Sequence, residues 1–167
     1  MTQRTCALWC PDWPVVAARR LDPALVGTPV VVVDTGPRGK VVVSASAEAR
    51  AEGVAVGLRV REAEARCAGL VVLDADDTAD ARAFELVVRA VEQLVPRLVL
   101  ERPGQLSFPT RGPSRYFGGD DALAARIVAC VSSTSPRCAP ASPTVRSRPA
   151  LLRAPPMNLG VKNARAT

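Results

Sequence analysis

From residue 131 to its end the chain carries six basic residues, Arg137, Arg146, Arg148, Arg153, Lys162 and Arg165, and no aspartate or glutamate. Pro136, Pro140, Pro143, Pro149, Pro155 and Pro156 interrupt the same stretch among Ser, Thr and Ala. Proline fixes φ and removes a backbone donor, and a segment without apolar periodicity buries too little surface to offset the entropy of ordering it. A packed fold is therefore expected over residues 1–130, followed by a disordered basic tail over 131–167. Residues 1–130 hold sixteen Lys+Arg against sixteen Asp+Glu, so the net charge of +6 resides in that tail. Two readings of the tail stay open. Clustered positive charge binds nucleic-acid phosphates through counterion release. An abrupt loss of every acid partway through a helical pattern is also what out-of-frame translation of GC-rich coding DNA produces.

With 167 residues, 48% of them hydrophobic, the chain can bury one modest core. No run of about 18 apolar residues is present to span a bilayer, and the N-terminus MTQRTCALWCPDW lacks the apolar stretch of a secretion signal. The expectation is a cytoplasmic protein without a membrane partner. The five cysteines are odd in number and irregularly spaced, which fits reduced thiols. Cys6 and Cys10 invite a zinc reading. The chain has no histidine and no second cysteine pair at ligand spacing, so core thiols on a strand are expected instead.

Strand and helix signals alternate through the first 130 residues. Thr5 to Cys10 reads as a short strand running into a Trp9-to-Trp13 corner, with a helical turn over Val15 to Arg20. Pro29 to Asp34 is a buried strand by its β-branched run, and GPRGK turns it into a second strand at Val41 to Ser44. Ser46 to Glu52 and Val60 to Cys67 read as short helices, and Leu70 to Leu73 as a strand. Phe84, Val87, Val88, Val91, Leu94 and Val95 recur at three- and four-residue intervals, one face of a helix that Pro96 ends. Leu98 to Glu101 and Leu106 to Phe108 are strands, and Asp120 to Val131 is a last amphipathic helix. The succession indicates a mixed α/β (α+β) domain. Trp9, Trp13 and Tyr116 are expected in the core.

Three motifs have structural explanations. The acids between Asp74 and Asp80 lack the glycine and terminal glutamate of an EF-hand loop and sit where Asp and Thr cap a helix. GPRGK places Val41 where a phosphate loop needs Ser or Thr, and it joins two strands. Gln105-Leu106-Ser107-Phe108 faintly resembles a sliding-clamp binding peptide, yet lies in an expected strand.

Four segments in order, ALWCPDWPVVAA, the PVVVV hairpin, SAEARAEGVAVGLRVREAEARC and VLERPGQLSFPTRGPSRYFGG, carry a resemblance. Together they resemble the N-terminal part of the Y-family (UmuC/DinB-like) translesion DNA polymerases, and most of all the catalytically inactive ImuB type. The resemblance spans roughly residues 5 to 130 and implies a partial palm with a small fingers subdomain at about 44–75. The family continues through thumb, little-finger and C-terminal interaction regions that this chain does not include.

Active members carry two aspartates separated by one residue on the first strand and an adjacent Asp-Glu pair on a later one, which hold two magnesium ions. The matching positions here are Leu8 and Cys10, then Gly104 and Gln105, so the resemblance implies no metal, no cofactor and no polymerase activity. The Tyr-x-x-Arg pattern that grips the incoming triphosphate appears as Ala47-Glu48-Ala49-Arg50, leaving Arg50 as a weak phosphate contact that competes with a surface ion-pair reading. Trp13 falls at the aromatic steric-gate position. Asp12, Glu101, Asp120 and Asp121 are nearby acids, but a one-residue shift along a strand turns a side chain to the other face. The implied role is a non-catalytic adaptor in DNA repair, translesion synthesis and damage-induced mutagenesis. Its implied partners are weakly bound DNA, an error-prone replicative-type polymerase, an ImuA-type protein and the sliding clamp. Two alternatives remain: a decayed, non-functional fragment, or a protein-interaction module with a nucleic-acid-binding tail.

Overall fold

The computed structural model describes residues 4–37 and 39–134, and the backbone of a strand at 144–148. Two sheets organise it. The first has the order β5-β6-β1-β7, built from β1 (Thr5–Trp9), β5 (Val99–Arg102), β6 (Gln105–Pro109) and β7 (Thr144–Arg148). Its β1–β6, β5–β6 and β1–β7 pairs are all antiparallel. The second has the order β3-β2-β4, from β2 (Val30–Gly36), β3 (Gly39–Ala45) and β4 (Val71–Asp74), with β2 antiparallel to β3 and parallel to β4.

The first sheet buries one face only, as antiparallel sheets commonly do. Cys6 and Leu8 of β1 and Leu106 and Phe108 of β6 meet Phe84, Val87 and Val91 of α4 (Asp77–Glu92) and Leu123, Ile127 and Val131 of α6 (Asp120–Thr134). The spacing of Phe84, Val87 and Val91 brings them onto one stripe of the helix. Asp76 caps α4, its carboxylate accepting from the amides of Thr78 and Ala79 at 3.0 and 2.9 Å. Cys6 is buried, and burial, with Asp120 adding to it, pushes its thiol pKa up to about 11. Such a thiol stays protonated and behaves as a small apolar side chain.

The second sheet explains the four consecutive buried valines of β2. Val31 and Val33 face a core with Ala49 of α2 (Ala47–Ala51), Ala63 of α3 (Val60–Arg66), Val54 and Cys67. Val30 and Val32 face the opposite way, onto Val15 of α1 (Trp13–Leu21). A strand covered on both sides needs a continuous apolar run, not an alternating one. Ser46 caps α2 by accepting from Ala49 N, and also accepts from Val30 N at 3.0 Å, tying the helix start to the sheet.

Three features differ from the sequence expectations. First, α1 begins at Trp13, so the expected corner is shorter and the indole belongs to the helix. Second, α5 (Arg111–Phe117) is a helix that Gly112 and Pro113 had concealed. Pro113 lies in its first turn, where the missing N–H has no intrahelical partner to lose, and Gly118 ends it with φ 88°. Third, the stretch expected to be disordered contains described structure. The last helix, α6, runs on to Thr134, and β7 pairs with β1 from Thr5↔Arg148 to Trp9↔Thr144. Its Thr-Val start suits a strand, and pairing satisfies the backbone groups along that side of β1. Residues 135–143 and 149–167 lie outside the described residues. Among the described residues no helix is long and apolar enough to cross a membrane.

Phe84 holds the helical layer to the sheet, so Phe84→Ala should cost about 3–5 kcal/mol, read as a lower urea midpoint. An unchanged midpoint would mean that the core around Phe84 is not packed as described.

Candidate functional site

The uncovered face of the first sheet is the candidate surface. Directly opposed residues of an antiparallel pair share a face, and successive residues alternate. The pairs Trp9↔Gln105, Ala7↔Ser107 and Thr5↔Pro109 therefore line the open side. Trp9 is half exposed there, whereas Leu8 is fully buried and Cys10 is buried in the helix-covered core. The sequence-matched pair Leu8 and Cys10 thus lies on the helix-covered face, and Ala7 and Trp9 occupy the open one. The inward alternation of Cys6, Leu8 and Cys10 was the signal available in the sequence.

At the end of β1 the backbone N–H of Cys10 donates to Gly104 O at 2.8 Å, which closes the chain onto the β5–β6 turn. Gly104 has φ +84°, and a Cβ there would stand 2.6 Å from Cβ of Trp13 and 3.2 Å from Cys10 O. No side chain fits. Gln105 accepts from Arg102 Nε at 3.1 Å and donates to Glu101 Oε2 at 3.0 Å.

Trp13 is a core residue. It is 4% exposed, meets Phe84 edge-on at 4.9 Å between centroids, and donates from Nε1 to Asp80 O at 3.0 Å. Its steric-gate-like position is accordingly filled by a ring that packs inward. Trp9 and Tyr116, expected in the core, are 50% and 84% exposed. Trp9 sits on the strand face without a helix over it, and Tyr116 projects from α5 with its ring edge-on to Phe117.

A cavity of about 330 Å³ lies beside Gly104, lined by Trp9, Asp12, Asp77, Asp80 and Arg102 among others. Partial burial, with Asp77 and Asp76 close by, raises the Asp80 carboxyl to about 6. Across from it, Arg50 of α2 donates from Nη1 to the Asp12 carboxylate and to Ala45 O, the latter at 2.6 Å. Glu48, two residues earlier on α2, accepts from Arg19 at 2.7 Å. Burial works against the Glu48 charge, but hydrogen bonds from Arg19, its own backbone and Ser46 outweigh it and hold the carboxyl below its usual range.

A sequence profile of the impB/mucB/samB family matches residues 8–135. The chain belongs to this family, that of the Y-family DNA polymerases. Among solved structures it resembles DinB from Sulfolobus solfataricus at 15% identity and a TM-score of 0.69, over 87% of this chain and 42% of that one. The insertion ternary complex of Dbh DNA polymerase matches over the same shares at 15% identity and a TM-score of 0.74. This chain spans about two fifths of the length of those polymerases. At such identity the likeness shows the fold, a mixed α/β Y-family palm-and-fingers arrangement. No curated protein matches the sequence.

The metal pair of Y-family chemistry does not fit the donors present. Ala7, Trp9, Gln105 and Ser107 of the open face carry no carboxylate, and the Glu101 carboxylate beside them accepts from Gln105. Among the described residues no group of three or more His, Cys, Asp or Glu is arranged to hold a cation.

Gly104→Ala meets both a positive φ and the Trp13 Cβ, so a loss of about 2–3 kcal/mol is expected in chemical denaturation. A wild-type midpoint would mean that Trp13 does not pack against this turn. Asp80 gives a pH test. A carboxyl whose folded pKa is raised contributes stability below its unfolded value, near 3.8, and loses that contribution as pH rises through about 6. Asp80→Asn should therefore stabilise at pH 8 by about 1 kcal/mol after discounting for partial exposure, and have little effect at pH 3. Equal effects at both pH values would contradict the assigned environment.

Proposed function

We propose that this chain is a non-catalytic, ImuB-type member of the Y family that acts as an adaptor in DNA repair, translesion synthesis and damage-induced mutagenesis. The observation that carries the reading is the open sheet face. Phosphoryl transfer by two metals requires several oxygen ligands beside the primer end; on that face β1 and β6 present alanine, tryptophan, glutamine and serine, and the neighbouring Glu101 carboxylate is engaged by Gln105. The Trp13–Gly104 contact supports it further, because a carboxylate at residue 104 would have no room.

The partners of this reading are DNA, bound weakly, and the proteins that an ImuB-type adaptor gathers at a lesion: an error-prone replicative-type polymerase, an ImuA-type protein and the sliding clamp. DNA is the partner that kinship with DNA polymerases supports most directly. Contact through phosphates falls steeply with salt.

Primer extension by the full chain, with magnesium or manganese and all four deoxynucleotides, tests the catalytic half. No product above that of a heat-inactivated sample is expected. Template-directed extension that co-elutes with the protein through successive columns would overturn the reading. Fluorescence anisotropy with primer–template DNA tests the other half: binding is expected at low salt and should be lost near physiological salt.

A further inference from the structure

Asp12 is the one non-glycine residue with positive φ among those described, at φ 52° and ψ 37°. Asp tolerates this left-handed conformation better than most residues, but it persists only where the surroundings hold it. It is also the N-cap of α1, where an aspartate ordinarily turns its carboxylate onto the second or third amide of the helix. Here the cap has no side-chain bond, and only the Asp12 backbone carbonyl accepts from Val15 N and Val16 N, at 3.0 and 3.1 Å. The carboxylate points elsewhere. Its Oδ2 receives the Arg50 guanidinium, and its Oδ1 receives Ser44 Oγ at 3.5 Å.

We propose that Asp12 is an internal ligand of Arg50, occupying the seat from which this arginine would otherwise hold a phosphate. An anion-binding site is then present in the fold but masked by the chain's own carboxylate. The proposal rests on matching Arg50 to the arginine of the family's Tyr-x-x-Arg pattern, and it adds to the reading of the chain as non-catalytic. Charged hydrogen bonds from guanidinium to carboxylate and to phosphate use the same donors, so the two acceptors compete. Nη1 is already shared between Asp12 and Ala45 O, although 45% of the Arg50 side chain remains exposed. The mask is reinforced at the other end of α1, where Arg19 holds Glu48 of the same short helix and also donates to Leu25 O and Thr28 O. An acid and a base near the two ends of α1 thus face a base and an acid on α2.

The full chain and its Asp12→Asn and Asp12→Asn/Arg50→Gln variants test this with inorganic tripolyphosphate as probe. The chain's two tryptophans, Trp9 and Trp13, flank residue 12 and report binding by fluorescence. Asparagine tolerates the left-handed backbone, so Asp12→Asn should bind tripolyphosphate at least about tenfold more tightly than wild type, the gain from removing a competing carboxylate. Arg50→Gln in the same background should abolish that gain. Equal binding by Asp12→Asn and wild type overturns the proposal, as does a gain that survives loss of Arg50. Asp12→Gly, which adopts the same backbone freely, is measured alongside. If neither Asp12 variant folds while Arg50→Gln does, Asp12 serves the corner and not the arginine, and the proposal fails. Binding is read without extension, so this result and the catalytic test fail independently.

Discussion

The packing of Trp13 against Gly104 is the contact on which the rest of the molecule depends. The indole starts α1, sits over the β5–β6 turn, meets Phe84 of α4 edge-on and donates to Asp80. One side chain thus joins the end of β1, the later hairpin and the main helix. A glycine with positive φ is the only residue that leaves space for it, and the cost of that glycine is offset by burying a large aromatic surface.

Around this contact the chain builds two small cores in place of one. The first is a one-sided sheet under α4 and α6; the second is a hairpin with a parallel third strand, covered on both sides. The helix α1 bridges them, contributing Trp13 and Ala17 to the first core and Val15 to the second face of β2. Two ion pairs, Asp12–Arg50 and Arg19–Glu48, tie α1 to α2. Each pair is partly exposed, so their energetic weight is modest. Their weight lies in orientation, because each joins a residue at one end of α1 to a residue of α2.

A palm sheet open on one face is a surface for presenting functional groups, and chemistry depends on which residues alternate onto it. In this chain that side carries Ala7, Trp9, Gln105 and Ser107, while the acids nearest to it serve other purposes. Asp12 is engaged by Arg50, and Asp76 caps α4. Glu101 accepts from Gln105. The fold of a polymerase palm is set by the buried alternation of its strands, whereas any chemistry at its surface is set by the residues on the other face.

Periodicity and capping were legible in the sequence because they are local. The β-branched run of β2, the three- and four-residue spacing of Phe84, Val87 and Val91, and the Asp76 cap follow from residue type and near neighbours. They were sufficient for the mixed α/β class, the hairpin and the main helix. The helix α5 was not legible, since Gly112 and Pro113 suppress a helical signal and only the placement of proline in the first turn makes them compatible with one. The face occupied by Leu8 and Cys10, the burial of Trp13 beside the exposure of Trp9, the pairing of residues 144–148 with β1 and the meeting of Asp12 with Arg50 were decided by tertiary structure. Each depends on which distant segment covers a strand or helix, and a one-residue change of register reverses it. Sequence therefore determined the elements and their order, because those follow from local residue pattern, whereas packing across tens of residues determined which side chains the candidate surface presents.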